Sequence, residues 1–326
     1  MPADVGERLP RLSQWPVAAY TSDFRVAGVS VQITGARESD VTLVRSLEPF
    51  RTDMCISDIH IQVEWTRHFP PVSGRRLFDS GSVWKLYEDE AGFQFDLTAP
   101  ILGHEPYKRL LVDESFTRAT LWMNESYFSD GPRAPVPLDY PLDELLIAHR
   151  LTQEEAIELH GCGIVRADGT GNLFVGHSGA GKSTTTRLWT HCEDVEILSD
   201  DRIIVRLELD PDEKTSFPCR RKVQPSRFMR MYGTPWHGEA MYASPGSAPI
   251  ARIFVLEHGF GNVLTRLSPS AAVAELFARS FVPFHRHEYV ESALAFLQQV
   301  SEAVPVYRYE FEPDQRAVDT ILNLHD

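Results

Sequence analysis

The sequence has little of what marks nucleic-acid-binding or disulfide-rich proteins. Lysine and arginine total 32 against 46 aspartates and glutamates, which gives a formal charge of −14. Such an acidic chain repels a phosphate backbone, so we expect no nucleic-acid partner. The cysteines form no C-x-x-C pair, and their spacing predicts neither a zinc cluster nor a disulfide framework. They are Cys55, Cys162, Cys192 and Cys219.

Long hydrophobic runs are also missing. Nowhere does the chain have the roughly 18 uninterrupted apolar residues that predict a membrane span. Its first residues, Met1 to Asp4, carry no basic region followed by an apolar one. We therefore expect a soluble, cytoplasmic protein with no membrane partner. A hydrophobic content of 43% over 326 residues is enough for one large domain or two.

The two halves of the chain differ in their patterns. Up to about residue 135 the patterns are strand-like, with alternation from Ile59 to Trp65 and a hairpin signal around residues 89–92. The Pro-rich residues 131–138 cannot supply ladder hydrogen bonds and indicate a boundary. We predict a β-rich N-terminal domain over residues 1–135 and a catalytic domain over 136–326.

Helix and strand signals alternate in the second half. Apolar spacing predicts a helix over residues 142–159, and the turn at 167–171 separates two short strands. Residues 195–198 and 203–209 are typical of strands. One helix is predicted to start at Ser268-Pro269 and to run to residue 281, and two more are predicted over 292–300 and 317–324. The predicted class is α/β within this domain and α+β overall.

One glycine-rich segment predicts the class of ligand. It matches the P-loop pattern G-x-x-x-x-G-K-[ST], lies between the apolar run 172–175 and a helix-compatible stretch, and reads Gly176-His177-Ser178-Gly179-Ala180-Gly181-Lys182-Ser183, followed by Thr184. Backbone N–H groups of such a loop surround phosphate oxygens at a helix N-terminus. We expect Lys182 to reach the β- and γ-phosphates of ATP and Ser183 to ligate Mg²⁺. The alternative is a glycine-rich turn that matches by chance.

A pair of carboxylates follows the next predicted strand. Asp200 and Asp201 can divide the labour of phosphoryl transfer, one accepting the hydroxyl proton as general base and the other holding Mg²⁺. We assign Asp200 as the base and Asp201 to the metal shell. His160, at the end of the predicted helix 142–159, could tune this pair. The alternatives are an acidic surface turn and a histidine that interacts with a helix dipole.

These motifs, in this order, resemble the catalytic core of HPr kinase/phosphorylase and, more distantly, phosphoenolpyruvate carboxykinase. The resemblance covers residues 155–210. It implies an HPr-kinase-like P-loop core in which the loop 176–183 holds the nucleotide, Ser183 contacts Mg²⁺, the aspartates supply a base and a metal ligand, and His160 lies beside them.

The chain also departs from that family. HPr kinases have Glu where this chain has Thr184, and their later Gly-rich signature for dephosphorylation is not found. A closer resemblance is to HPr-kinase-like proteins that accompany ribosomally made peptides. It implies a peptide serine or a small-molecule alcohol as the hydroxyl-bearing acceptor. Homo-oligomerisation is implied by resemblance alone.

Four further features are weaker candidates. Residues 231–239 have the composition of an active-site loop or of a rigid turn around a core Trp236. A basic run is either an anion site or a solvated face, and consists of Arg220, Arg221, Lys222, Arg227 and Arg230. Arg279 and Arg286 are similar candidates. Glu257 either completes the metal shell or ends a surface strand.

Three functions remain open at this point. The first is an ATP-Mg²⁺-dependent kinase that uses Lys182, Asp200, Asp201 and His160 to phosphorylate a hydroxyl. The second is a nucleotide-binding sensor that acts through its N-terminal half. The third is a carboxykinase acting on an oxo-acid, for which we find no second site for a carboxylated substrate.

Overall fold

Two mixed β-sheets, each with its own helices, give the protein an α+β architecture. The computed structural model describes residues 19–53, 56–99, 103, 105–128, 136–209 and 227–324, and it separates into two units, Met1–Gln153 and Glu154–Asp326. The division follows Gln153, whereas the predicted boundary was at residue 135. Residues 131–135 of the Pro-rich stretch lie outside the described part. No helix within the described residues is long and apolar enough to cross a membrane.

The first unit contains an eight-stranded sheet in the order β1-β2-β3-β8-β7-β6-β5-β4. Its elements are β1 (Tyr20–Val26), β2 (Val29–Gly35), β3 (Ile59–Thr66), β4 (Arg75–Asp79), β5 (Trp84–Asp89), β6 (Gly92–Leu97), β7 (Lys108–Val112), β8 (Arg118–Asn124), α1 (Glu125–Phe128) and α2 (Leu142–Leu151), with 3-10 turns at Glu38–Val41 and Glu48–Phe50. The predicted β-rich character, the strand at 59–65 and the hairpin at 89–92 are confirmed.

Aromatic side chains fill the core of this unit. Phe95 on β6 and Phe116 are fully buried, and the ring of His149 on α2 packs against both, with ring centroids 5.2 and 5.1 Å away. Every residue of β6 is buried, as expected for a strand inside a wide sheet. The sheet and α2 therefore form one packed body.

The second unit is built on another eight-stranded sheet. Its elements are β9 (Ala156–Val165), β10 (Gly171–Val175), α3 (Lys182–Trp189), β11 (Glu196–Ser199), β12 (Arg202–Leu209), β13 (Arg227–Gly233), β14 (Ser247–His258), β15 (Val263–Arg266), α4 (Pro269–Phe277), α5 (His287–Ala303), β16 (Val306–Phe311) and α6 (Gln315–Leu322). The main strand order is β10-β9-β12-β13-β14-β16-β15, with β11 beside β9.

Strand β9 changes neighbours along its length. Residues 156–160 pair with β12, whereas residues 161–165 pair with β10 and β11. Because side chains alternate across a strand, Ile157 and Leu159 enter one core while Cys162 and Ile164 enter the other. By the same alternation, His160 shares the face of Cys162, whose thiol lies 3.7 Å from the carbonyl oxygen of Lys182 on α3.

The predicted helix over residues 142–159 is wrong in its second part. Helix α2 ends at Leu151, where the Thr152 hydroxyl donates to the His149 carbonyl, and β9 begins at Ala156. The apolar residues at 156 and 157 fit helical spacing, but Ile157 to His160 also alternate apolar and polar, and burial in a two-sided sheet favours the strand. His160 therefore lies within a strand, so a helix-dipole role does not apply.

The remaining elements agree with the prediction within a few residues. The turn at 167–171 joins the antiparallel strands β9 and β10, and β11 ends at Ser199 just before the aspartate pair. Ser268 caps α4 with its side chain, as the Ser-Pro signal predicts, although α4 ends at Phe277 and the prediction ran to residue 281. Helix α5 covers the predicted helix 292–300, and α6 covers the predicted helix 317–324 as far as Leu322.

Candidate functional site

The glycine-rich segment 176–183 connects β10 to the start of α3, in the strand, loop and helix order that the motif requires. Gly181 is the N-cap residue, with φ of 102°, and a Cβ there would lie 2.5 Å from the Phe311 ring. Only glycine fits both conditions. Because glycine has no side chain to cap the helix, no side-chain hydrogen bond caps the N-terminus of α3. These N–H groups can bind an anion.

The side chain of Lys182 lies against the same loop. Its Nζ donates to the carbonyl oxygens of Gly176 at 3.0 Å and of His177 at 3.2 Å, and the residue is 6% exposed. Burial lowers the pKa of Lys182, and the nearby carboxylate of Asp201 partly offsets this. The ammonium group is thus buried beside the loop that a phosphate would approach.

His160 and Arg202 flank the carboxylate of Asp201. The Nε2 of His160 lies 2.9 Å from Asp201 Oδ1, and Arg202 forms an ion pair with Asp201 Oδ2. Burial alone would raise the pKa of Asp201, but His160, Arg202 and Lys182 outweigh it and lower that pKa. The side chain of Asp201 is 27% exposed, so its ionised carboxylate is accessible.

Asp200 has different surroundings from its neighbour. It is 1% exposed, its Oδ1 accepts the N–H groups of Gly238 and Tyr242 at 3.0 and 3.2 Å, and its Oδ2 accepts the N–H of Ala240 at 2.8 Å. A Cβ on residue 238 would lie 3.0 Å from Asp200 Oδ2, so Gly238 permits this close approach. Asp200 therefore holds the loop 238–242. Its role as general base stays a prediction.

A cleft of ≈ 410 Å³ joins the loop to Asp201. The predicted residues that line it are His160, Ser178, Gly179, Gly181, Lys182, Ser183, Thr184 and Asp201. Arg187, Gly238 and Glu239 complete the lining. Four other predicted residues, Gly176, His177, Ala180 and Asp200, are not in this lining. The lining thus brings the Lys182 ammonium and the Asp201 carboxylate into one cleft.

Backbone hydrogen bonds hold the loop through three predicted residues that do not line the cleft, Gly176, His177 and Ala180. The Ala180 N–H donates to the His177 carbonyl at 3.0 Å, and the Gly176 N–H donates to the His160 carbonyl at 3.1 Å. His177 is exposed, and its pKa is lowered first by the charge of Arg279 and then by burial. Arg279 therefore lies within electrostatic range of the loop.

The cleft offers few metal ligands, which fits Mg²⁺ better than a metal ion held by protein side chains alone. Among the described residues, no group of three or more His, Cys, Asp or Glu side chains is placed to hold a metal ion by itself. Ser183 and Asp201, the two predicted ligands, both line the cleft and both offer oxygen. Mg²⁺ keeps several waters and binds through one or two carboxylates together with substrate phosphates, which fits such a sparse set.

The weaker candidates have varied positions. Within residues 231–239, Trp236 is 6% exposed, as in a rigid turn, while Gly238 and Glu239 reach the cleft. Arg220, Arg221 and Lys222 lie outside the described residues.

The other charged candidates contact residues that do not line the cleft. Arg227 contacts Glu155, and Arg230 donates to Ser247. Glu257 pairs with Arg308, as expected for a strand end, and Arg286 lies over the Tyr289 ring. Arg279 pairs with Glu275 at 2.6 Å.

Three contributors to the site, Arg187, Arg202 and Phe281, were not among the predicted residues. Arg187 follows the motif by one helical turn, so its place on the cleft side of α3 could have been inferred from i, i+4 spacing to Ser183. Phe281 contacts His160 across 121 positions of sequence, for which the chain gives no local signal. Comparison with known proteins adds no relative, because no protein-family model matches the chain and no curated protein is similar enough to count as a match.

Proposed function

We propose that the protein is an ATP-Mg²⁺-dependent kinase that transfers the γ-phosphoryl group to a hydroxyl. One observation carries this proposal: a single cleft contains both the glycine-rich loop and the His160–Asp201 pair. A nucleotide sensor needs phosphate contacts, but it has less use for an accessible carboxylate beside them. Phosphoryl transfer needs both.

The basic end of the cleft would bind the triphosphate. The uncapped N–H groups at the start of α3 and the loop backbone offer donors to phosphate oxygens, and Arg187 adds a charge at the rim. In this proposal the Lys182 ammonium exchanges its loop carbonyls for phosphate oxygens. It then stabilises the negative charge that spreads over the transferred group in the transition state.

Ser183 and Asp201 would hold Mg²⁺ together with the phosphates. The metal, when bound, neutralises charge on the β- and γ-phosphates. The chain's own contribution is to bring one hydroxyl and one carboxylate to the same cleft. The metal ion would need no further protein ligands, because water and phosphate oxygens would complete its coordination shell.

We assign the proton acceptor to Asp201 instead of Asp200. The acceptor's hydroxyl oxygen forms a bond to the γ-phosphorus, the bond from that phosphorus to the bridging oxygen of ADP breaks, and the hydroxyl proton moves to a carboxylate oxygen of Asp201. His160 and Arg202 orient this carboxylate. Asp200 is a positioning residue, because it fixes the loop that carries Gly238 and Glu239.

The proposal includes the HPr-kinase-like P-loop core that the sequence resembles. The support is the order of the parts: His160 on β9, the loop after β10, and the aspartate pair after β11, all on one sheet. On this reading the acceptor is a serine of a peptide or protein or a small-molecule alcohol, and the reaction takes place in the cytoplasm.

The test is conversion of ATP to ADP by the whole chain with Mg²⁺, with serine-containing peptides and small alcohols as acceptors and mass spectrometry to detect a phosphate-sized gain. We expect transfer to at least one acceptor. Lys182→Ala should lower it by about 10²- to 10³-fold, while Lys85→Ala, on β5 of the first unit, should not change it.

Two results would count against the kinase. Full activity of the Lys182→Ala variant would show that the loop is not the phosphate site. If the wild-type chain bound ATP, measured by calorimetry, yet released no ADP with any acceptor, the sensor function would be favoured.

A further inference from the structure

The Phe281 ring contacts both side chains that bind the Asp201 carboxylate, His160 and Arg202. Its ring centroid is 5.9 Å from that of His160, at an interplanar angle of 65°, and the guanidinium carbon of Arg202 lies 4.0 Å from the Phe281 centroid. Each of these two neighbours contacts one oxygen of Asp201. One aromatic ring is therefore shared by both partners of the carboxylate.

The backbone on either side keeps this ring in place. The Phe281 N–H donates to the Glu158 carbonyl at 3.0 Å, the His160 N–H donates to the Arg279 carbonyl at 2.7 Å, and an antiparallel bridge joins Leu159 to Ser280. Residues 279–281 thus run along the edge of β9 at His160. The next residue, Val282, is 8% exposed and belongs to the core.

The ring suits both contacts. An aromatic face attracts a guanidinium electrostatically, and the attraction is stronger where water is partly excluded. Edge-to-face contact with an imidazole restricts rotation of that ring. Phe281 itself is half-buried and carries no group that could exchange a proton.

We propose that Phe281 is a positioning residue for phosphoryl transfer, acting through His160 and Arg202 to fix the Asp201 carboxylate in the cleft. This inference rests on the proposed kinase function. Misplacing a catalytic group by about 1 Å can cost large factors in rate, because the reacting atoms must be aligned. Phe281 therefore affects the chemical step without touching the substrate.

The experiment compares three variants of the full chain. Phe281→Leu keeps apolar bulk but removes the ring and should lower kcat by about ten-fold, with the affinity for Mg²⁺-ADP unchanged within about two-fold. Phe281→Tyr keeps the ring and should retain kcat. Phe284→Leu is the matched control, since Phe284 is 65% exposed and packs on Phe277, and it should behave as wild type.

Two further measurements separate positioning from simple structural damage. In a His160→Gln background, Phe281→Leu should cause a smaller loss of kcat, because one of the two groups it acts through is already gone. A crystal structure of Phe281→Leu should reveal the His160 ring or the Arg202 guanidinium displaced from Asp201.

Failure of this inference differs from failure of the kinase function. An active wild type with an equally active Phe281→Leu variant would overturn the role of Phe281 alone. Wild type without phosphoryl transfer would overturn the kinase. The crystal structure then still decides, since unchanged contacts of His160 and Arg202 with Asp201 in Phe281→Leu would refute the positioning role.

Discussion

The Asp96–Arg109 pair of the first unit and the Asp201–Arg202 pair of the second unit differ in what surrounds them. In the first unit Asp96 and Arg109 have side chains only 4% and 3% exposed. Both Asp96 oxygens accept from Arg109, Gln94 adds a third bond, and the remaining Arg109 nitrogen donates to the Pro70 carbonyl. In the second unit Asp201 pairs with Arg202 at the wall of a cleft.

The difference indicates which pair is suited to chemistry. A buried pair whose polar atoms are satisfied by protein can only stabilise the fold, and removing one partner leaves an isolated charge in a low-dielectric core. A partly exposed carboxylate held by a histidine and an arginine remains accessible to an incoming hydroxyl. Four experiments test this difference between the two pairs, in decreasing order of the change expected.

The largest effect is expected from Asp201→Asn. The amide keeps the size of the side chain but cannot accept a proton, so kcat for phosphoryl transfer should fall by roughly 10²- to 10⁴-fold. The loss of thermal stability at neutral pH should be small beside this loss of kcat. Steady-state kinetics with the acceptor identified in the transfer assay would check this, and near-normal kcat would remove Asp201 from the mechanism.

Arg109→Met should have the next largest effect, on stability. It leaves the Asp96 carboxylate buried without its partner, at a cost of about 3–5 kcal/mol in the free energy of unfolding of the first unit. Hydrogen exchange of the β6 and β7 amides in urea would measure this. Arg75→Met, at an ion pair whose arginine is 76% exposed, is the control and should cost at most ~1 kcal/mol.

Combining Arg109→Met with Asp96→Leu should recover most of that loss, because no isolated charge remains. If the single substitution proved harmless, the first pair would not be the closed structural contact described above.

Asp200→Asn should have a smaller, local effect. The asparagine NH₂ group faces backbone donors and leaves at least one N–H of the loop 238–242 without an acceptor, which costs about 1–3 kcal/mol. We expect faster amide exchange at Gly238, Ala240 and Tyr242, and a smaller loss of kcat than in Asp201→Asn. Loss of activity with unchanged exchange would instead assign the base to Asp200.

The smallest effect concerns pH. The pKa of Asp201 in the folded state lies below its ordinary value of 3.8. Ionised Asp201 therefore stabilises the fold above that pH, and this contribution is lost as the pH falls through the lowered pKa. The difference in free energy of unfolding between wild type and Asp201→Asn should shrink below about pH 3.8. An unchanged difference in acid would mean that the pKa of Asp201 is not lowered.

Much of the site could be predicted from short sequence patterns. The glycine-rich segment could be placed between a strand and a helix because its spacing, the apolar run before it and the helix formers after it all lie within about twenty residues. The β-rich first unit could be predicted from alternation and turn residues. The aspartate pair was correctly located at a strand end.

Long-range contacts limited the rest. Adjacent aspartates look alike in sequence, and only the loop 238–242, folded back onto Asp200, separates their surroundings. Residues 156–159 satisfied a helical pattern, yet pairing with β12 makes them a strand. Phe281 reaches the site because residues 279–281 follow β9, a pairing that no short pattern encodes.

Backbone hydrogen bonds at His160 and Gly161 connect β9 to the glycine-rich loop, to Asp201 and to Arg279. No side chain takes part in these bonds. The His160 carbonyl accepts from Gly176, the Gly161 N–H donates to the Asp201 carbonyl, and the His160 N–H donates to the Arg279 carbonyl. A protein engineer could therefore exchange the imidazole, the carboxylate or the guanidinium for other groups and keep the frame that carries them. The second unit could in this way serve as a scaffold that presents different side chains beside one glycine-rich loop.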